Sequence, residues 1–164
     1  MRRYAVAFTG PSNSGKTTLI EKIAKRLIDR DNRRVAIIKH DPKDKAIFDR
    51  EGKDSFKFFN TGAEVIVTSP ERTTYLSNRA KELDELIELF GEFDVLLVEG
   101  LKSIPLPRVA IFRGGVDESY MSCSSAVAID DTIDRDMIPE GIDVLNLNDV
   151  DMVIEWIEQN GEEI

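Results

Sequence analysis

The sequence is poor in the residue types that bind transition metals and form cross-links: its 164 residues include one cysteine, Cys123, and one histidine, His40. A single thiol excludes an internal disulfide and fits a reducing compartment, with Cys123 read as a small half-buried residue. Long apolar runs are missing as well. Nothing approaches the roughly 20 residues that a membrane-spanning helix needs, so no membrane contact is expected. The start, MRRYAVAFTG, leads from a short apolar run into glycine and not into a cleavage site, which gives the expectation of a cytoplasmic protein. Basic residues are in deficit: 22 Lys and Arg against 31 Asp and Glu leave a net charge of −9. That balance argues against nucleic acid as a partner, because such binding rests on clustered cations neutralising phosphates. An anionic ligand must therefore be met locally. A chain of this length also has enough surface to bury for one domain spanning residues 1–164, since about 150 residues bury roughly 70% of their unfolded surface.

What is present is a phosphate loop. GPSNSGKTT places Gly10, Gly15, Lys16 and Thr17 at the spacing GxxxxGK(S/T), in which backbone N–H groups wrap phosphates and glycines permit dihedrals and approaches that a Cβ forbids. Gly10, Pro11, Ser12, Asn13, Ser14, Gly15, Lys16, Thr17 and Thr18 are the expected nucleotide-binding stretch. Lys16 is expected to reach the β- and γ-phosphates and the Thr17 hydroxyl to ligate Mg²⁺. The flanks agree: residues 4–9 read as a buried strand, and Leu19, Ile20, Ile23, Ala24 and Leu27 recur at helical spacing. A helix N-terminus adds its own preference for anions.

Further strands are expected at 34–39, 64–69, 108–112, 126–130 and 143–147, with helices around Leu83–Phe90 and Val150–Ile157. Residues 71–80 are open between a short strand and a hairpin. FDVLLVEG is apolar enough to be buried on both faces, as central strands of parallel sheets are. The fold class is α/β, a mostly parallel sheet with helices on both faces, of the P-loop NTPase kind. Glu99 ends the central strand at the carboxyl edge, where α/β sheets place ligand-contacting groups. It is the candidate to hold Mg²⁺ or to orient the attacking water, with the loop cap as its other reading. Asp94 competes from the strand's start, at the far edge.

Residues 39–64 form a polar connection after the second strand, a common place for a functional loop. Within it, Asp54 or Ser55 is a candidate cap for a short helix containing Phe56, Phe58 and Phe59. The functional reading places Lys53 and Asp54 against the γ-phosphate, Asp54 acting through Mg²⁺ or water. Both readings stand on composition. His40 likewise reads either as a polar surface residue or as a catalyst.

Taken in order, GPSNSGKTTLIEKI, IIKHD, GKDSFKFFNTGAE, DVLLVEGLK and RVAIFR resemble the MobB family of molybdenum cofactor biosynthesis over residues 4–113. The resemblance implies GTP and Mg²⁺ as ligands and weak GTPase activity. It further implies a homodimer, and as partners molybdopterin and the MobA-type guanylyltransferase that attaches GMP to it. Catalytic roles then fall on Lys16, Asp54 and Glu99, metal contacts on Thr17, Asp54 and Glu99. The sequence departs from the family in having no histidines beyond the KH pair, Lys39 and His40. It also lacks the NKxD motif by which Ras-like GTPases read guanine, so Asp130 in AVAIDD is a candidate base reader, with helix cap or turn residue as the alternative. Two other functions compete: a small-molecule kinase, with Arg108 and Arg113 as phosphoryl clamps, and a non-hydrolysing pterin carrier. Apolar strands whose edges are unassigned, VAIF within residues 108–112 for example, are candidates to pair across a twofold axis.

Overall fold

The computed structural model describes residues 2–164. The chain divides into two compact units, the first made of its start through His40 and Phe90–Ile164, the second of Asp41–Leu89.

The first unit is built on one sheet. Its strands are β1 (Tyr4–Thr9) and β2 (Val35–Lys39), then β5 (Val95–Glu99), β6 (Arg108–Phe112), β7 (Ala126–Ile129) and β8 (Asp143–Asn146), ordered β2-β5-β1-β6-β7-β8. All of these neighbours pair in parallel, and a two-residue strand β9 (Glu162–Glu163) adds antiparallel to β1. β1 and β6 are buried along their whole length, as is β5 up to Glu99, in keeping with covered faces on both sides. VAIF is interior, held between β1 and β7, so it is corrected as a candidate for pairing across a twofold axis. The edge strands of the ordered path are β2 and β8.

Two helices cover one face. In α1 (Lys16–Asp29) Leu19, Ile20, Ile23, Ala24 and Leu27 are the buried residues, so the 3.6-residue period expected from the sequence is the packed stripe. α4 (Val150–Asn160) buries Val153, Ile154, Trp156 and Ile157. It starts on the Asp149 side chain, which accepts from Met152 N–H, and it is tied to β8 by Trp156 Nε1 donating to Asp143 at 2.7 Å. Tyr4, Val6 and Phe8 of β1 point into this layer together with Val95, Leu97, Val109 and Ile111. On the opposite face Ala110, Phe112, Val127 and Ile129 pack with Ile133, and short 3₁₀ segments at Glu118–Cys123 and Arg135–Met137 flank that cluster.

The second unit holds α2 (Asp54–Phe59), β3 (Val65–Thr68), β4 (Thr73–Leu76) and nearly all of α3 (Leu83–Phe90). The 64–69 run is a strand as expected but belongs to no parallel sheet: β3 pairs only with β4, antiparallel, in a two-stranded sheet of its own. The connection explains this. Ser69 N–H donates to Arg72 O while Ser69 Oγ accepts from Glu71 and Arg72 N–H. Such a tight turn joins antiparallel neighbours, whereas a parallel return needs a crossover of a dozen residues or more. No helix among the described residues is long and apolar enough to cross a membrane.

Candidate functional site

The phosphate loop hangs between the carboxyl end of β1 and the start of α1. Gly10 has φ +143°, and a Cβ there would stand 2.4 Å from the Ile111 carbonyl oxygen, so only glycine lets the loop pass that close to β6. Asn13 is also left-handed, with φ +61°, and Gly15 at φ +99° is the residue from which α1 begins without any side-chain cap. The first-turn N–H groups of α1 thus keep their capacity for an anion. Ser12, Asn13, Thr17 and Thr18 are exposed along this loop, while Ser14 is buried with its Oγ unpartnered. Lys16 folds back over the loop, its Nζ donating to Gly10 O and Pro11 O at 2.9 Å each. Burial pushes the Lys16 ammonium below the ordinary lysine range; Glu99 opposes that shift and Lys39 adds to it.

Glu99 ends β5, opposite Phe8 of β1 on one side and Lys39 of β2 on the other. Its carboxylate, 15% exposed, accepts from Lys39 Nζ at 2.6 Å. The turn that follows is tightly determined. Gly100 has φ +88°, a Cβ would approach His40 Cβ to 3.1 Å, and Leu101 is left-handed at φ +49°. Arg108, 1% exposed at the start of β6, donates to Gly100 O at 2.7 Å and Leu101 O at 2.8 Å. Burial holds its guanidinium below the usual arginine range. Arg108 thereby fixes the backbone beyond Glu99, and its described hydrogen bonds go to carbonyls. His40 N–H donates to Glu99 O at 3.0 Å, which ties the end of β2 to the end of β5. Asp94, at the other end of β5, is occupied by Arg34: its carboxylate accepts from Arg34 N–H at 2.7 Å and pairs with the guanidinium at 3.5 Å. Glu99 is the acid of this strand that faces the loop's edge.

Beyond the loop, a cavity of about 270 Å³ opens beside α1, lined by Gly15, Thr18, Lys22, Arg113, Asp130 and Asn148 among others. Asp130 follows β7 and Asn148 follows β8, so two adjacent carboxyl ends contribute polar groups. Thr132 N–H and Oγ1 donate to Asp130 Oδ1, and Arg113 pairs with Oδ2 at 3.4 Å. The hydrogen bonds from Thr132, foremost, and the Arg113 charge hold the Asp130 carboxyl below the usual range. Thr132 Oγ1 also accepts from Gly114 N–H at 2.7 Å, linking the turns after β6 and β7. Of these cavity residues the sequence names Asp130 as a candidate and leaves Asn148 unnamed. The available signal was an Asn just past a strand on the ligand-facing side of the sheet.

Lys53 and Asp54 are carried by the second unit. The cap position of α2 is Lys53, and no side chain caps this helix; Asp54 is its first residue, with a carboxylate 83% exposed and 3.6 Å from Lys57. The cap reading of Asp54 is thereby removed. Lys16, Lys39, Glu99 and Asp130 stand on the first unit.

The residues of this loop fit a nucleotide's phosphates. The evidence is the close passage at Gly10, the orphaned Ser14 hydroxyl and an ammonium resting on loop carbonyls. No group of three or more His, Cys, Asp or Glu among the described residues makes a self-sufficient metal site. A Mg²⁺ ion here would take Thr17 and Glu99 from the protein and the rest of its ligands from phosphates and water.

A parallel sheet with a glycine phosphate loop between its central strand and the first helix defines a P-loop NTPase fold. Residues 5–131 match the model of MobB, molybdopterin guanine dinucleotide synthesis protein B. The chain is 32% identical over 165 residues to the molybdopterin-guanine dinucleotide biosynthesis adapter protein of Haemophilus influenzae, covering 93% of this chain and 86% of that one. It superimposes on the crystal structure of Bacillus subtilis MobB with a TM-score of 0.73 at 27% identity, covering 93% of this chain and 96% of the other. A crystal structure of molybdopterin-guanine biosynthesis protein B shares the fold, with a TM-score of 0.72 at 23% identity over 94% and 98% of the two chains. The chain belongs to the MobB family.

Proposed function

We propose that this chain is a GTP-binding adapter of molybdopterin guanine dinucleotide synthesis, with weak GTPase activity. It assists a MobA-type guanylyltransferase in attaching GMP to molybdopterin in the cytoplasm. The observation that carries the reading is the phosphate loop with Lys16 over it and Glu99 beside it, with no arginine among the described residues hydrogen-bonded to the loop. Arg108 is bonded to the Gly100 and Leu101 carbonyls, and Arg113 is paired with Asp130. A phosphoryl-transferring kinase needs arginine clamps on the moving group; Arg108 is committed to carbonyls, which leaves that reading only Arg113, 63% exposed in its pair with Asp130.

In this reading the Gly10–Thr18 stretch holds the phosphates through N–H groups, and Lys16 exchanges the two carbonyls for β- and γ-phosphate oxygens. Thr17 and Glu99 face Mg²⁺, which supplies charge neutralisation on the phosphates. Glu99 orients water toward the γ-phosphate. Arg108 keeps the Glu99 turn in place. Asp130 accepts the N–H groups of guanine's Watson–Crick edge, and Asn148 is positioned on the same cavity to meet the base. Slow turnover is the expectation of this reading, because no arginine among the described residues is bonded to the phosphate loop and such a group is worth about 10³–10⁵ in rate.

A homodimer is supported by the second unit. Ile66 and Val67 on β3 are 64% and 44% exposed in a sheet of only two strands, an arrangement marginal in water without a partner surface. The test is phosphate release from GTP by the purified protein, alone and with guanylyltransferase and molybdopterin. Slow release alone, with guanylyl transfer accelerated when the protein is added, is the expected result. Fast release alone, or phosphate passed to a small acceptor, would replace the adapter reading.

A further inference from the structure

The phosphate loop supplies one lysine where its spacing requires it, and a second ammonium stands at the same edge of the sheet. Lys39 is the last residue of β2 and Glu99 the last of β5, direct partners in the parallel register. Glu99 is in turn the register partner of Phe8, two residues ahead of Gly10. Two adjacent strand ends and the loop after a third therefore bring a carboxylate and two lysines to the same edge of the sheet. Burial acts most on the Lys16 ammonium, and the charges of Glu99 and Lys39 reach it as well.

The two partners in the Lys39–Glu99 pair differ in freedom. The Glu99 side chain is 15% exposed on an interior strand, while that of Lys39 is 64% exposed on an edge strand. The backbones beneath them are fixed by His40 N–H on Glu99 O, by the contact of Gly100 with His40 and by Arg108. Movement is left to the side chains. An ion pair with one largely exposed partner is weak, whereas an ammonium beside a polyphosphate forms charge-assisted bonds of the stronger kind.

We propose that Lys39 is a second phosphate-binding cation of this site: when a magnesium nucleoside triphosphate occupies the loop, Glu99 turns toward the metal and Lys39 exchanges the carboxylate for the terminal phosphate. The exchange rests on the nucleotide reading above and extends it. Because the terminal phosphate is absent from a diphosphate, Lys39 separates the two nucleotides in affinity. Lys16 reaches the β-phosphate of both, so its loss weakens GDP as well as GTP.

Calorimetric titration with GTP and GDP, each with Mg²⁺ and with EDTA, tests this on the full chain and on Lys16→Ala, Lys39→Ala, Lys39→Arg and Glu99→Gln. Lys39→Ala is expected to weaken GTP about tenfold or more while GDP changes less than about twofold, with Lys39→Arg recovering most of the loss. In EDTA, Glu99→Gln frees Lys39 and tightens GTP several-fold, a gain absent from the Lys39→Ala/Glu99→Gln double variant. Equal changes for GTP and GDP on Lys39→Ala, or no tightening by Glu99→Gln in EDTA, would overturn the proposal. If Lys39→Ala fails to fold, the Lys39→Arg and Glu99→Gln arms decide. Loss of binding in Lys16→Ala with unaffected Lys39 variants removes Lys39 alone; absence of GTP binding by the unmodified protein removes the nucleotide reading as well.

Discussion

The two units of this chain use apolar residues in opposite ways. Among the described residues, all buried hydrophobic side chains except Val65 lie in the first unit, whereas Ile47, Phe48, Phe58, Ile66, Val67 and Leu89 of the second are exposed. In the first unit burial fixes each residue from several sides, so a glycine, a buried arginine and an acid at a strand end acquire definite positions. In the second unit the backbone forms two short helices and a hairpin, but their apolar surface is exposed. A site that must hold phosphate in a set geometry belongs on the first kind of scaffold. Contacts that come and go belong on the second.

Substitution at Gly10 should break the first unit most severely. Gly10→Ala puts a Cβ 2.4 Å from the Ile111 carbonyl at φ +143°, combining backbone strain with overpacking for a loss of roughly 2–5 kcal/mol. Nucleotide binding should vanish with it, as measured by calorimetry beside a urea melt. A variant that keeps both would mean the loop does not pass β6 as described.

Next in size is Arg108→Met. It removes the donors from the Gly100 and Leu101 carbonyls, and leaving two half-buried acceptors without them should lower stability by about 1–3 kcal/mol. The matched change in the second unit is Arg79→Met. That side chain is 62% exposed in its pair with Glu85, so its loss should stay within about 0.5 kcal/mol. Equal midpoints for the two variants in urea would erase the contrast between the units.

A smaller effect depends on pH. The Asp94 carboxyl is held below the usual range, chiefly by the Arg34 N–H and further by the Arg34 guanidinium. A carboxyl with a lowered folded-state pKa contributes stability above its unfolded value near 3.9 and loses it as pH falls through the folded one. Asp94→Asn should therefore flatten the acid side of the stability profile and lower its neutral plateau. Urea midpoints from pH 6 down to pH 3 check this; an unchanged slope would place the acid sensitivity elsewhere.

The sequence was readable where the signal is local or periodic. The α1 stripe from Leu19 to Leu27, the full burial of β1 and the burial of β5 up to Glu99 all follow from 3.6-residue spacing or continuous apolarity. The phosphate loop was likewise legible because its chemistry dictates its spacing. Pairing was not legible, being non-local. EVIVTS reads the same whether its neighbour is a parallel strand or a hairpin partner, and RVAIF reads the same at an edge or in the interior. The partners of Glu99 and Asp130 were hidden for the same reason: register brings Lys39 to one, and Arg113 and Asn148 come to the other's cavity from separate strand ends.

The smallest expected change in stability falls on the second unit, and it carries the most information about assembly. Ile66 is 64% exposed on β3, paired across the hairpin with Tyr75, so Ile66→Lys removes no buried contact within one chain and should alter monomer stability by no more than about 0.5 kcal/mol. A lysine on a strand face or edge opposes association by placing charge where another apolar surface has to dock. If the hairpin is the homodimer surface, Ile66→Lys should shift the protein toward monomer in sedimentation velocity at micromolar concentration. The concentration dependence of Tm should disappear with it, because stability borrowed from a partner follows mass action. GTP affinity should meanwhile change less than about twofold, since the phosphate loop, Glu99 and Asp130 stand on the first unit. A variant that remains dimeric would move the interface off this hairpin. One that lost both dimer and GTP binding would show that nucleotide affinity needs the second unit's apolar surface, removing the division of labour between the two units.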